Sequence, residues 1–308
     1  MPRALIAGIS GQDGRLMGRF LLAKGYRVWG IARRPVEADP GVEVLQGDIA
    51  DGAFIEEAVK TVQPDEVYNL AAISRILESY RLPEETVRVN ALSPVLWLDA
   101  LRRVRPECRF FQAGSSEMFG QAETSPQNED TPFRPRNPYG AAKAHAHALV
   151  RAYRAEYGLF ACNAILYNHE SELRPEAFVT RKITAAAARI KAGSGETLRL
   201  GDIEARRDWS HAEDFVEAIW SMLQYQRPDD YVLASGQTHS VGDFCRLAFD
   251  LLGLDWRSHT VVDQSLVRQE RGAILCGDAS KARDQLDWRP RVSFAELIHR
   301  MVEADRPS

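Results

Sequence analysis

The sequence predicts an α/β protein: a doubly wound parallel sheet, with a smaller C-terminal substrate-binding region interleaved with it. Three observations carry that prediction. An apolar run, Arg3–Ala7, ends in Gly8-Ile9-Ser10-Gly11-Gln12-Asp13-Gly14 and passes into a helical pattern of Leu16, Phe20, Leu21 and Leu22. Short apolar runs then alternate with helix-period segments in the order β-α-β-β-α-β-α-β-α, the pattern of a parallel sheet covered on both faces. The fifth run, Arg109–Ala113, delivers Ser115, Ser116 and Glu117 to the carboxyl edge of that sheet, where open α/β sheets bind their ligands.

Taken in order, the glycine triplet sits between strand and helix, the setting in which such a motif binds a dinucleotide. The glycines allow a tight turn and close backbone approach, and the helix N-terminus faces a pyrophosphate, with Gly8, Ser10, Gly11, Gln12, Asp13 and Gly14 around it. The next strand, residues 26–32, ends at Arg33 and Arg34. Two arginines suit a 2′-phosphate and favour NADP, while Glu37 and Asp39 stand close enough to keep NAD as the alternative. A third strand, Val42–Gln46, closes at Gly47-Asp48-Ile49, and Asp48 either meets the adenine edge or caps a helix starting near Gly52. A helix over residues 53–61 and a strand over 66–70 lead into Ala71-Ala72-Ile73-Ser74, small residues that suit backbone passing under a cofactor. Residues 83–103 form one long helix in this reading, with Val87, Val89, Leu92, Val95, Leu96, Leu98 and Leu101 as its apolar side.

Beyond the fifth strand, a helix over residues 137–155 puts Tyr139 and Lys143 on one face, one turn apart. An ammonium beside a phenol stabilises the phenolate and lowers a pKa that is normally about 10. Such a tyrosine removes a proton from an alcohol near neutral pH, and a neighbouring serine hydroxyl holds the same oxygen. Taken alone, the pair is weak and a solvated i,i+4 contact is the better reading; the glycine loop supplies the catalytic context. A strand over 157–166 then carries Tyr167-Asn168-His169-Glu170-Ser171 out on the same sheet edge, polar groups suited to sugar or phosphate. A helix over Val179–Lys191 and a short strand over 198–201 follow, with helices over 215–223, 241–252 and 294–304 and a strand over 232–234. Lys182, Arg207 and Arg268 are cations of this half that suit a phosphorylated small molecule. The dinucleotide-binding part is placed at residues 1–168, receiving also part of 203–240, and the substrate-binding part mainly at 169–308.

A chain of 308 residues with 45% apolar and 27% charged residues is ordinary for a globular protein that buries a substantial core. Its net charge of -4 argues against nucleic acid or an anionic membrane as the main partner. Cys108, Cys162, Cys245 and Cys276 lack metal-ligand spacing, as do His145, His147, His169 and His211, so no metal site is expected. Scattered cysteines fit a reducing compartment. No apolar run reaches about 18 residues, and the N-terminus enters a strand at once, leaving no room for a signal peptide. The expected location is the cytoplasm.

The chain resembles an extended short-chain dehydrogenase/reductase, a Rossmann-type fold, and within that superfamily the GDP-mannose 4,6-dehydratase family. The resemblance rests on GISGQDG, Arg33-Arg34, QAGSSEMFG, PRNPYGAAK, YNHESELRPEAFVTRKI, LGDIEARRDWSHAEDFVEA and GDASKARDQLDWRP, spread over nearly the whole chain. It implies an internal redox reaction on a GDP-sugar with NADP: a hydride leaves C4, water leaves across C5 and C6, and the hydride returns to C6. Tyr139 would take the O4 proton, and Ser115, at the family's threonine position, would bond the same oxygen. Lys143 would hold the nicotinamide ribose, Glu117 would be the C5 base and Ser116 would assist it. The resemblance adds Ile49, Leu70, Ala71, Ala72 and His169 to the cofactor contacts. It places Ser74, Glu117, Asn168, Val179, Lys182, Leu200, Gly201, Arg207 and Arg268 around the substrate.

Some positions depart from the family pattern. Residues 35–41 are short where the family has a longer insertion, which favours a homodimer through the helices near 83–104 and 137–156 and leaves a tetramer as the alternative. Ile73 replaces a usual glutamine, Arg75 follows Ser74, and Arg271 and Ala273 replace acidic positions, so a close relative of GDP-mannose such as a GDP-heptose also fits as substrate. An NADP(H)-dependent nucleotide-sugar 4-reductase or epimerase is the competing reading, and a non-catalytic NADP-binding regulator the third.

Overall fold

The computed structural model describes residues 1–267 and 274–306. The chain opens with β1 (Arg3–Ala7), α1 (Gln12–Ala23), β2 (Arg27–Ala32), β3 (Val42–Gln46), α2 (Gly52–Val62) and β4 (Glu66–Asn69). It continues through α3 (Ile76–Arg81), α4 (Pro83–Val87), α5 (Ser93–Val104), β5 (Arg109–Ala113), α6 (Pro138–Tyr157), β6 (Ala161–Leu166) and β7 (Asn168–Glu170). Next come α7 (Val179–Lys191), β8 (Leu198–Leu200), β9 (Arg206–His211), α8 (Ala212–Gln224), β10 (Asp230–Leu233) and β11 (Thr238–Ser240). The chain ends in α9 (Val241–Asp250), α10 (Trp256–His259), β12 (Thr260–Val262), α11 (Ser280–Leu286) and α12 (Phe294–Asp305).

Seven strands form one sheet in the order β10-β6-β5-β4-β1-β2-β3, and every pairing in it is parallel. A strand covered on both faces needs side chains that are apolar in both directions, and Ala4, Leu5, Ile6 and Ala7 of β1 are all fully buried. On one face Ile6, Leu21, Phe111, Phe215 and Met222 pack in a core that α1 and α8 cover. On the other, Leu5, Val59, Trp97, Phe110 and Val150 pack beneath α2, α5 and α6. The winding reverses between β1 and β4, and a crevice opens there beyond the carboxyl ends of the strands. A further core joins α7, α9 and α12 to β8 and β9 through Ile183, Trp209, Phe244, Phe249 and Met301. The α/β doubly wound parallel architecture is thus present as expected.

Several boundaries differ. The helix carrying Tyr139 runs to Tyr157 and stops at Gly158, whose φ of 65° makes the left-handed cap, so β6 begins at Ala161 rather than 157. The expected helix over 83–103 is interrupted by a π-helical turn at Arg88–Leu92, where Ser93 N bonds the Arg88 carbonyl. Pro94 has no N–H to offer the carbonyl of Asn90, which breaks the regular ladder at that point. Helix α2 is capped by Asp51, whose side chain accepts from Ala53 and Phe54, not by Asp48, which accepts from Ala50 instead. A helix that begins at Gly52 needs its acceptor one residue earlier. A three-stranded sheet, β11-β9-β7, was not anticipated: its strands are short and polar, without an alternating apolar signal.

Candidate active site

The glycine loop lies in close contact with its surroundings. Gly8 has a φ of 88°, and a Cβ there would stand 2.8 Å from Ala71 N. A Cβ on Gly14 would stand 2.1 Å from the Gly8 carbonyl oxygen, so α1 begins directly against the loop. Gly11 occupies the N-cap of α1, and no side chain caps that end. Uncapped N–H groups at a twelve-residue helix end, beside a residue with no side chain, fit a pyrophosphate. Leu70 N donates to the Ala7 carbonyl, and the buried Asn90 amide bonds both N and O of Ile73, which fixes the backbone from Leu70 to Ser74 beside the loop. Ile49 is buried in the apolar core beneath α2 and Asp48 is half-buried, while Ser74 is exposed.

At the end of β2, Arg33 and Arg34 are both exposed, and Arg33 pairs with Glu85 at 2.8 Å. Asp39 is engaged by Arg19 at 2.9 Å and Arg15 at 3.5 Å.

The side chains of Gln12 and Asp13 turn toward β7. Gln12 Nε2 donates to Asp13 and to the His169 carbonyl, and Gln12 Oε1 accepts from Ser171. His169 bonds Asp13 at 2.9 Å and the Tyr167 carbonyl at 2.8 Å, and its ring stacks on Phe215. Burial alone would raise the Asp13 carboxyl, but the His169 charge and hydrogen bond outweigh it and hold the group well below the usual carboxylate range. Burial likewise opposes the imidazolium, yet Asp13 raises His169 above its ordinary value. These residues, expected as ligand contacts, therefore also bind the glycine loop to β7.

Ser115, Ser116, Glu117, Tyr139 and Lys143 are brought together where β5 meets α6. Ser115 Oγ accepts from Glu117 N at 3.2 Å and acts on the neighbouring Tyr139 phenol, whose ionisation it favours. Tyr139 and Lys143 are buried. Lys143 Nζ donates to the Ala113 carbonyl at 2.7 Å and stands 5.9 Å from the Tyr139 ring centroid. The expected depression of Tyr139 by Lys143 is corrected here. Burial pushes the phenol up to about 12, helped by the Glu117 and Asp13 charges, while Ser115 and Arg174 pull it down. Burial also lowers Lys143 to about 8, with Asp13 opposing. The ammonium is directed at the sheet edge rather than at the phenol oxygen.

The remaining residues form a second group. Lys182 Nζ donates to the Arg199 carbonyl at 2.5 Å, and Val179 is exposed at the start of α7. Leu200 is buried at the edge of a cavity of ≈160 Å³ lined also by Ile203, Trp256 and Val261. A Cβ on Gly201 would stand 2.7 Å from the Leu266 carbonyl oxygen. Asn168 is half-buried at the start of β7, and Arg207, in β9, donates to the Arg206 carbonyl. Arg268, with Arg271 and Ala273, lies outside the described residues.

Three residues of the site were missed by sequence reasoning. Asn137 caps α6 and bonds Glu117 Oε2 at 2.8 Å; asparagine before Pro-Tyr-Gly is a readable cap signal, but its second bond is not. Asn90 and Arg174 carry no local signal. Among the described residues no group of three or more His, Cys, Asp or Glu is placed to hold a metal, and no helix is long and apolar enough to cross a membrane.

A doubly wound sheet with a glycine loop and a Ser–Tyr–Lys centre at its carboxyl edge defines the short-chain dehydrogenase/reductase class. The chain is similar to DesIV (dTDP-glucose 4,6-dehydratase) from Streptomyces venezuelae, solved with NAD and TYD bound, at 25% identity and a TM-score of 0.86, covering 98% of this chain and 96% of that one. It also superposes on RMD from Pseudomonas aeruginosa, solved with NADPH, at 23% identity and a TM-score of 0.84, covering 99% of both chains. The family model for GDP-mannose 4,6 dehydratase matches residues 5–301. GDP-mannose 4,6 dehydratase 1 from Arabidopsis thaliana is 44% identical over 322 residues, 98% of this chain and 89% of that protein. The chain belongs to the GDP-mannose 4,6-dehydratase family.

Proposed function

We propose that the chain is a hydro-lyase that converts GDP-mannose, or a close GDP-sugar relative, to its 4-keto-6-deoxy form. Beyond family membership, the observation that carries this reading is a carboxylate, Glu117, held beside the Ser115–Tyr139 hydroxyl pair. A bound nicotinamide dinucleotide supplies a hydride acceptor for C4–H and a hydride donor to C6.

The residues handle the protons. Tyr139 Oη takes the O4 proton as the C4–H bond breaks, and Ser115 Oγ holds the same oxygen. Because burial keeps the phenol high, Tyr139 needs a strong local positive field or a relay through Ser115 to act near neutral pH. Once C4 is a ketone, the C5 hydrogen is acidic enough for a carboxylate, and Glu117 removes it. The C6 hydroxyl then leaves as water with the proton that Glu117 took from C5, Ser116 assisting, and the proton that Tyr139 took from O4 goes to C5 once C6 is reduced. Lys143 holds the nicotinamide ribose. Lys182 and Arg207 balance the diphosphate, Arg268 completing the set from outside the described residues.

NADP is favoured over NAD because Arg33 and Arg34 are exposed at the end of β2, while Asp39, one of the two acids that would suit a ribose hydroxyl, is engaged by Arg19 and Arg15; the other, Glu37, is exposed. The Arg33–Glu85 pair is exposed, and surface pairs of that kind are worth about 0–1 kcal/mol, so a 2′-phosphate readily displaces it. A cytoplasmic homodimer is part of the same reading, supported by the exposed Leu82, Val87, Leu92 and Tyr157 on the helices near 83–104 and 137–157.

The test is incubation of cofactor-loaded protein with GDP-mannose and no added reductant. The expected outcome is a 4-keto-6-deoxy product without net change in nicotinamide absorbance; net oxidation of NADPH or simple inversion would instead mark a reductase or epimerase. Glu117→Gln is expected to oxidise C4 yet lose about 100-fold or more in product formation. Full turnover in that variant would remove Glu117 as the base.

A further inference from the structure

Asn137 sits where the helix carrying the reacting phenol meets the carboxylate that takes the C5 proton. Its Oδ1 accepts from Gly140 N at 2.7 Å, and its Nδ2 donates to Glu117 Oε2 at 2.8 Å. The orientation of the amide follows from chemistry, since a backbone N–H only donates and must face the oxygen. The two bonds are thus made by opposite ends of one planar group, and capping the helix sets the direction of the donated hydrogen. The surroundings leave little slack. Pro138 holds the first helical position, and a Cβ on Gly140 would stand 2.4 Å from the Glu117 carbonyl oxygen. On its other side, Glu117 N is held by Ser115 Oγ.

We propose that Asn137 is a positioning residue for the elimination step, aiming the Glu117 carboxylate. This rests on the reading of Glu117 as the C5 base. The charged groups that act on the neighbouring Tyr139 phenol are Glu117 itself, Arg174 beyond β7 and Asp13 on α1, and Arg136 precedes Asn137 in the chain. One residue therefore couples the register of α6, which sets Tyr139, to the aim of Glu117, so the two proton-transfer groups keep a fixed relation.

Asn137→Asp separates the two bonds: it retains a cap acceptor of the same shape and turns the donor into a second anion. In the holoenzyme, reduction of bound cofactor by GDP-mannose is expected to persist. Product formation is expected to fall about 10- to 100-fold, and the acid limb of its pH profile to move to higher pH, because a second anion beside a carboxylate favours its protonated form. The Glu117 carboxyl signal in isotope-edited NMR should move with it. Asn137→Ser, a good cap too short to reach Glu117, is expected to show a smaller loss with C4 oxidation intact, and it carries the same test should the aspartate variant fail to fold. Wild-type product formation with an unmoved pH profile in these variants would overturn the proposal. So would a parallel loss of C4 oxidation and elimination, which marks a general collapse of the site. If Glu117→Gln turns over fully, the reading of the base fails; if it is inactive while Asn137→Asp is normal, only the role of Asn137 fails.

Discussion

Lys143 is buried and His169 half-buried at the sheet edge, and their partners drive them in opposite directions. Lys143 meets a neutral carbonyl, so burial lowers it to about 8; His169 meets the Asp13 carboxylate, so its pKa rises above 6.5. The stabilising effect of a raised histidine is complete below its unfolded value of 6.5 and is lost as pH rises through the folded value. Asp13 is depressed, so its contribution is present above 3.8 and is lost as pH falls below that. Thermal melts across this range should therefore show a decline in stability above pH 6.5 that His169→Asn removes, at a cost of about 1–3 kcal/mol near neutrality. An unchanged alkaline slope in that variant would show that the pair does not hold the charge. At this scale the residue types were legible: Tyr139 with Lys143 from spacing, Glu117 from its place after a strand. The direction of the Tyr139 shift was not, because it depends on burial and on where Nζ points, neither of which spacing encodes.

Helix α6 carries Tyr139 and Lys143, and its first turn lies in close contact with the turn that carries Glu117. A Cβ at Gly140 would meet backbone, the Glu117 carbonyl at 2.4 Å, which has no rotamer by which to withdraw. Gly140→Ala should therefore move α6 against the turn carrying Glu117, with a loss of about 1–3 kcal/mol in stability and a fall of roughly tenfold or more in product formation. Denaturant melts and turnover of the cofactor-loaded variant check both; native stability and turnover together would show that the contact relaxes freely. The start of this helix was readable because Asn-Pro is a cap followed by a residue with no N–H to satisfy. Its end was read as strand because Gly158, the stop, lies just before an apolar run. Strands β7, β9 and β11 escaped notice since three to six polar residues give no period to detect, and two of them carry Asn168, His169 and Arg207.

For the whole molecule, the order β3-β2-β1-β4-β5-β6-β10 brings the glycine loop after β1 and the Ser–Ser–Glu turn after β5 to the same edge of one sheet. That convergence was legible, because parallel strands alternating with helices place every strand exit on one side. The addition of β10 at the far edge and the packing of α8 on the sheet were legible only as an interleaving near 203–240, since the pairing partner of a short strand is not written in its own residues. In the proposed reaction one dinucleotide serves both C4 and C6 of one sugar, so the hydride taken from C4 should return to the same molecule. The most direct test uses GDP-mannose deuterated at C4, with an excess of unlabelled dinucleotide in solution. The account predicts a 4-keto-6-deoxy product carrying deuterium at C6, with none released into the free cofactor. Deuterium in the free dinucleotide, or label still at C4 of a sugar product, would contradict it.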